Sequence, residues 1–453
     1  EPINLRTGSY LYDHVDLTLG SASFPYGLSF QRFYDSQRRL SENVLGLGWT
    51  HNHRIRADVN TDTFLGMATD SPIQAAAGIA EMYVTVDLLR DLTKPLEKWV
   101  TIAICNQWLN DQLVDNIVKI TLPETDLIFF KQHDGSYIPG MGSTASLTLS
   151  SGEYTLTTSH GVEYHFNTDG DIETIEFPTG PTITYTFSSG KLASVTNGMG
   201  RTLSFTYTGD RLTSVSDGTG RSVSFAFDVD GNLETATDAE GEDTDFEYVS
   251  PGLMSKIFKP QNPTSPIVTN TFDALNRVKE QKDAYNNTWK YYIAGPRSEE
   301  EDPNSESRVV WYNGMGNIVK AVNQLGHESL FEYDGLQRLV KMTAPEGNSS
   351  EFEFDSNHNV IKVTAKAKSG SGLSDIVNEF TYDTTWKNKV KTAEDGLGNV
   401  VTYTYNATTG TLTKIEFPVI NSQTPTVNFT YNSRGQVLTK EDPTGIVTKF
   451  VYD

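Results

Sequence analysis

Cysteine is almost absent: the 453 residues contain one, Cys105. A single thiol closes no internal disulfide and builds no cysteine-rich metal cage. The small disulfide-stapled folds are excluded, although secretion is not, because a chain this long can bury a core that needs no staples. Long apolar runs are missing as well. No stretch approaches the roughly 20 residues that cross a bilayer as a helix. The N-terminus shows no secretory leader, and its first residues, EPINLRTGSYLY, read as the inside of a patterned sequence. Cations are scarce, 36 Lys and Arg against 58 Asp and Glu, for a net charge of −22 and a pI near 4.8. Such a surface repels phosphate backbones, which argues against general binding to nucleic acid or anionic membrane. The acidic charge reads most simply as the solvation of a large β protein. Nucleophile elbows, zinc-protease motifs, P-loops and dinucleotide-binding glycine motifs are all lacking. No carboxylate pair stands out for glycoside hydrolysis in a chain so rich in Asp and Glu, and no cofactor motif is present.

Abundant instead are Phe (22), Tyr (21) and Gly (36), while hydrophobic residues make up only 37%. That balance favours strands and tight turns over helices. From Tyr164 onward an aromatic-x-aromatic-(Asp/Asn) phrase recurs: YHFN, YTFS, FTYT, FAFD, FEYV, NTFD, FEYD, FEFD, FTYD, YTYN, FTYN and FVYD. Its third residue marks a register at Phe166, Phe187, Tyr207, Phe227, Tyr248, Phe272, Tyr292, Tyr312, Tyr333, Phe354, Tyr382, Tyr405, Tyr431 and Tyr452, spaced by 20 to 28 residues. The longer intervals hold insertions such as QNPTSP, AKSGSGLS and NSQTPT, as loops do in repeat proteins. Leu203, Phe205 and Tyr207 share one parity, the signature of a strand with one apolar face. In LTSV (Leu212 to Val215) the apolar residues stand three apart, which predicts a bulge or a bend. Asp169-Gly170 and Asp230-Gly231 are turn dipeptides. Each repeat is thus expected to be one hairpin, and successive hairpins to pair edge to edge. An open twisted sheet rarely exceeds about ten strands without curling, so this ribbon must coil.

A stretch of different character spans 71–114. Ser71-Pro72 reads as a helix start. Ile73, Ala76, Ala77, Ala80 and Val84, then Leu92, Leu96, Trp99, Val100, Ala103 and Ile104, follow helical spacing around a break at Thr93-Lys94-Pro95. The segment is expected to be a helical hairpin; MYVTVDL and WVTIAI also alternate as strands do, so a β reading stays open. The expected organisation is a β domain over 1–163 carrying this insert, then a repeat array over 164–453.

The phrase FEYDGLQRLVKMTAPEGN (Phe331 to Asn348) resembles the Rhs/YD-repeat family: aromatic-x-Tyr-Asp, then Gly, Arg-Leu and a Gly-containing turn. NLRTGSYLYDHVDL, LSFQRFYDSQ and LGLGWTHNHRIR are similar to the domain that commonly opens such proteins, and DGSYIPG and YTLTTSHGVEYHFNTDG to its lead into the repeats. The resemblance covers roughly two-thirds of the chain. It implies a mostly β fold in which a spiralling antiparallel sheet forms a curved shell or an open arc. Relatives include bacterial polymorphic toxins and the C component of insecticidal toxin complexes, whose shells enclose a C-terminal toxin. In animal teneurins the YD domain is part of an adhesion receptor. Departures are the lack of a toxin domain after the repeats and of the family's self-cleaving region. EDPTGIV (Glu441 to Val447) is similar to that region's Asp-Pro motif but falls where every repeat has a turn.

Other constellations have plainer readings. Trp49, His51 and His53 in GWTHNH could offer two metal ligands from one strand face, but without a third they read as corner packing. Asp228, Asp230 and Asn232, like Asn167, Asp169 and Asp171, resemble calcium loops yet lack the Gly and Glu spacing those require, and read as hairpin turns. EEEDPNSES (Glu299 to Ser307) reads as a solvated loop, with a basic partner or cation as the sharper alternative. Trp289, Tyr291, Tyr292, Trp311 and Tyr312 cluster in adjacent repeats and could stack sugar rings. The leading expectation is a non-enzymatic shell of a secreted or surface protein that encapsulates or presents an effector beyond this chain. The alternative is an adhesion or carbohydrate-binding module that meets a cell-surface protein or glycan.

Overall fold

Two apolar residues three apart reach the same side of a strand only if one extra residue stands between them, and the repeats are built on that device. The computed structural model describes residues 2–20, 23–41, 43–59, 100, 103, 117–123, 125–132 and 134–452. In the hairpin of Thr202–Thr208 and Arg211–Ser216, Thr206 pairs with Ser214 and Tyr207 with Leu212, leaving Thr213 unpaired. The irregularity expected in LTSV is therefore a β-bulge, and it turns both Leu212 and Val215 into the core. The same shift recurs at Thr186/Phe187, Ala226/Phe227, Glu332/Tyr333, Glu353/Phe354 and Thr404/Tyr405.

The Tyr and the Asp of the repeat phrase each have a definite task. The Tyr hydroxyl reaches back one hairpin and donates to the backbone carbonyl of the first apolar residue beside the bulge. Tyr248 bonds Leu233 at 2.9 Å, Tyr333 bonds Ile318 at 2.9 Å, and Tyr405 bonds Val390 at 2.7 Å. The following Asp or Asn caps the turn. Asp334 Oδ1 accepts the backbone N–H of Leu336 and of Arg338, while Oδ2 takes the Arg338 guanidinium at 2.7 Å. In the Asp228 turn Asn232 replaces Arg and bonds Oδ2 at 2.7 Å. The oxygens that resembled calcium ligands in Asp228 and Asn167 are thus occupied by their own turns.

These caps predict an acid sensitivity. Desolvation alone would raise the Asp217 carboxyl, but hydrogen bonds from Thr219 and Arg221 outweigh it and pull the group down to about 2. Asp273, Asp334 and Asp355 are also lowered, by hydrogen bonds that overcome partial burial. Groups held below their unfolded value of about 3.9 stabilise the fold when ionised and lose that contribution as pH falls toward the folded value. The urea midpoint should therefore drop between about pH 4 and pH 2. Asp217→Asn, which keeps the cap but cannot titrate, should flatten that drop; an unchanged slope would show that the caps do not carry it.

The chain divides into two compact units, one of residues 1–53, 159–163 and 173–453, the other of 54–158 and 164–172. Among the described residues the elements are strands apart from a 3-10 turn at Ser36–Arg38 and the helical positions Val100 and Ala103. The expected insert over 71–114, with Cys105, lies outside the described residues save for Val100 and Ala103. In the smaller unit the strands Arg56–Val59, Ile117–Thr121, Asp126–Lys131 and Tyr137–Pro139 form a four-stranded antiparallel sheet, and Ser146–Ser150 pairs with Glu153–Thr157. Arg56 there bonds Asp58 at 2.6 Å and Asp171 at 2.5 Å.

In the larger unit, strands pair antiparallel in sequence order from Thr182–Ser188 to Val447–Lys449. This sheet is not closed: Val447–Lys449 pairs with Val437–Glu441, and no register joins it to another strand among the described residues. The sheet nevertheless bends back on itself at its turns. The Tyr26 hydroxyl donates to the Arg434 carbonyl at 2.8 Å, and the Tyr26 carbonyl accepts from Asn197 at 2.9 Å and Arg201 at 3.1 Å. A methyl placed on Gly180 would sit 2.7 Å from the Ser433 carbonyl oxygen. Turns some 250 positions apart in the sequence thus abut.

A small sheet covers part of the apolar face of this array. Its strands are β1 (Ile3–Asn4), β2 (Ser9–Leu19), β3 (Leu28–Asp35) and β4 (Trp49–His51), paired in that order. A bulge at Asp16 switches parity in β2, so that Tyr10 and Tyr12 before it and Leu17 and Leu19 after it are all buried. Trp49 packs with Tyr34 and Phe246, and Phe30 with Phe205 and Phe225. Among these rings lies Arg32, 1% exposed, its guanidinium 5.1 Å from the Trp49 centroid and 5.2 Å from that of Phe225. Asp16 receives it at 2.6 and 2.8 Å.

Candidate functional site

The inward face of the array is apolar for many strands and then changes character. Across successive pairings it runs Tyr185, Val195, Leu203, then Phe205, Val215, Val223, then Phe246, Ile257, Val268. At the next hairpin the equivalent positions hold Asn270 and Gln281, 2% and 4% exposed. One hairpin further, Ser298 and Glu300 occupy inward positions. Ser298 is completely buried, and among the described residues neither its hydroxyl nor the Asn270 side-chain NH2 has a hydrogen-bond partner. Gln281 donates to Asn270 Oδ1 at 2.9 Å. Buried polar groups in this row are costly unless something satisfies them.

This hairpin, Thr288–Ala294 with Arg297–Glu301, also lacks the bulge. Tyr291 pairs with Glu300, and Ile293 with Ser298. Ile293 therefore follows Tyr291 on the inward face, and Tyr292, 47% exposed, faces the other way. The assignment of Tyr292 as a repeat marker is corrected accordingly: a two-residue turn at Gly295-Pro296 replaces the capped turn and shifts the register. The acidic run is corrected too. Glu299–Glu301 form a strand rather than a loop, and only Asp302–Glu306 make the turn.

The five aromatics marked by the sequence divide between two faces. Trp289 and Tyr291 lie inward, on the side of Gln281 and Glu300. Tyr312, just past a bulge at Trp311/Tyr312, follows the buried Val310. Tyr292 and Trp311 lie on the opposite face, where Trp311 sits 5.7 Å from Arg297 and 5.0 Å from Lys320. Beside the inward pair is a cavity of about 410 Å³, lined among others by Val268, Gln281, Trp289, Tyr291 and Glu300. Burial, and then the nearby Glu300 charge, raise the Tyr291 hydroxyl well above the usual tyrosine value. Glu299 pairs with Arg297 at 2.6 Å and Glu301 with Lys290 at 2.7 Å, whereas Glu300 between them has no partner among the described residues. Gln281, Asn270 and Glu300 were legible only as departures: each stands where neighbouring repeats carry an apolar residue, visible once the register is known.

His51 and His53 are buried beside the aromatic core. His53 Nε2 lies 2.8 Å from the Ser29 carbonyl, and burial lowers its pKa to about 4. The ring is therefore neutral near pH 7 and committed to packing. Asp442 caps a turn like its counterparts, accepting from Thr444 and Ile446.

Residues 1–71 match a family described as a domain of unknown function, DUF6531, and residues 208–243 match the RHS Repeat. A comparison with curated proteins gives no match. Among solved structures the chain is similar to TcdB2-TccC3, at 12% identity over 74% of this chain with a TM-score of 0.39. It is also similar to the Photorhabdus luminescens Tc holotoxin pore, at 12% identity over 74% of this chain with a TM-score of 0.40. In both cases it spans 23% of the other chain. Residues 208–243 thus carry an RHS repeat, set within a ladder of like hairpins, and residues 1–71 carry a DUF6531 domain.

Proposed function

We propose that this chain is wall material: a non-enzymatic part of a secreted or surface-displayed shell that encloses or presents an effector carried beyond it. The observation that carries this reading is the return of the sheet on itself, turn against turn, at Tyr26–Arg434 and Gly180–Ser433. A sheet that curls until its turns meet has an inside. The inside face supports the same view. Where β1 to β4 lie on it, from Tyr185 to Ile257, its residues are buried. It continues through Phe331, Met342, Phe352, Val363, Phe380, Tyr403 and Ile415, which are partly exposed. An uncovered apolar face of this extent is suited to line a chamber holding a partly unfolded polypeptide. The mechanism is exclusion, by a hydrogen-bonded wall that separates cargo from proteases and solvent.

Limited proteolysis of the full-length protein tests the reading. The segment following the repeats should resist digestion for as long as the repeats stay intact, and should be cut readily when expressed alone. Equal cleavage rates in the two settings would remove the encapsulation reading.

A further inference from the structure

We infer that the cavity beside Trp289 and Tyr291 is a binding site for a neutral saccharide. The inference is independent of the shell reading, since a wall can carry such a site or lack it. Three observations converge. First, the cavity of about 410 Å³ falls within the range of roughly 300–1,000 Å³ typical of small-molecule sites, and is large enough for a sugar of one or two rings. Second, its lining places the acceptors of Gln281 and Glu300 beside the ring of Trp289, with Lys282 and Asp283 at its margin. Among the described residues the Glu300 carboxylate has no ion-pair partner, and the Gln281 side-chain NH2 goes to Asn270 while its carbonyl oxygen has no partner. The Tyr291 hydroxyl has no partner among the described residues and can donate or accept. Third, the polar residues stand where every structural pressure of the repeat asks for Val, Leu or Phe. A buried Gln281–Asn270 pair costs stability in a wall that has no use for it.

Acceptors beside a Trp face suit a ligand with many hydroxyl donors and a C–H face. The ring would lie on Trp289, with hydroxyls donating to Glu300 and Gln281. Phosphorylated or sulfated ligands are disfavoured by Glu300 and by the net charge of −22. A purely apolar ligand would leave the carboxylate and amide unsatisfied. An ammonium compound is the serious competitor, because aromatic rings and a carboxylate also attract cations.

The test uses the whole chain and defined probes. Ligand-observed NMR and calorimetry are run with glucose, galactose, mannose, N-acetylglucosamine and their disaccharides, and with choline and spermidine as amines. At least one saccharide should bind with a Kd below about 10 mM, an affinity worth roughly 3 kcal/mol. Trp289→Ala and Glu300→Gln should each weaken it about tenfold or more, an effect of hot-spot size. Tyr292→Ala and Trp311→Ala, on the opposite face, should change it less than about twofold. Glu300→Gln is nearly isosteric and keeps the strand, so it decides the matter if Trp289→Ala does not fold. No saccharide bound, amines bound in preference, or saccharide binding that survives Glu300→Gln would each overturn the assignment.

Discussion

Asp16→Asn is expected to lower the opening free energy of the sheet β1 to β4 by about 3–5 kcal/mol, the cost of leaving one member of a buried ion pair without the other. Arg32 is 1% exposed and lies among Trp49, Phe225 and Phe246. Its two bonds to Asp16, at 2.6 and 2.8 Å, supply the only countercharge within hydrogen-bonding distance among the described residues. Its Nη1 already lacks a partner. The carboxamide retains the shape but donates where the carboxylate accepted, and it brings no charge. Native-state hydrogen exchange over β2 and β3 gives the measurement, because opening need not be global in a chain with two compact units. The double variant Asp16→Leu with Arg32→Met should recover most of the loss, since a well-packed apolar pair often replaces a buried ion pair without penalty. A loss below about 1 kcal/mol in Asp16→Asn would mean that Arg32 is held by its rings, not by its countercharge.

Gly252→Ala should cost about 2–4 kcal/mol, partly from backbone strain and partly from overlap. Gly252 has φ of +69°, and a methyl there would run into the Arg39 carbonyl oxygen. The same residue anchors the small sheet: its carbonyl accepts the Tyr34 hydroxyl at 2.7 Å, and its N–H donates to Asn232 at 2.6 Å. Tyr34 then accepts from Met254 N–H at 2.9 Å. Gly241→Ala is the control, with φ of +85° and open space around it, so only the strain, on the order of 1 kcal/mol, remains. Protection in β3 and in Leu253–Phe258 should fall together for Gly252→Ala and stay for Gly241→Ala. Equal effects would show that the close approach to Arg39 contributes nothing.

The repeat, its period and its turns were readable because each depends on local chemistry. Leu212 and Val215 announce the bulge by their spacing, and Asp334 announces its turn by its place after Tyr333. What the sequence concealed depends on register. Arg32 alternates with Phe30 and Tyr34 along β3, so it was visibly inward, yet nothing in the string pairs it with Asp16, whose orientation comes from a bulge. The aromatic group around Trp289 looked like one surface because Tyr292 was placed by counting. A bulge missing from one hairpin moved it to the other face, next to Glu299 rather than Glu300. Gln281 and Asn270 were unremarkable polar residues until the pairings set them in an apolar row.

The abutting turns at Gly180 and Ser433 impose an arithmetic on the family line from which this chain descends. Removing or duplicating one whole hairpin would shift the later turns by a strand pair, so that Tyr26 would face a different turn and its bond to Arg434 would be lost. Growth is far cheaper where it leaves that count untouched, in the stretches after Phe258, Ala365 and Glu416 that leave the strands before the next one begins. Lineages of this protein should therefore differ by lengthened excursions at those points while keeping an unchanged tally of hairpins from Gly180 to Ser433.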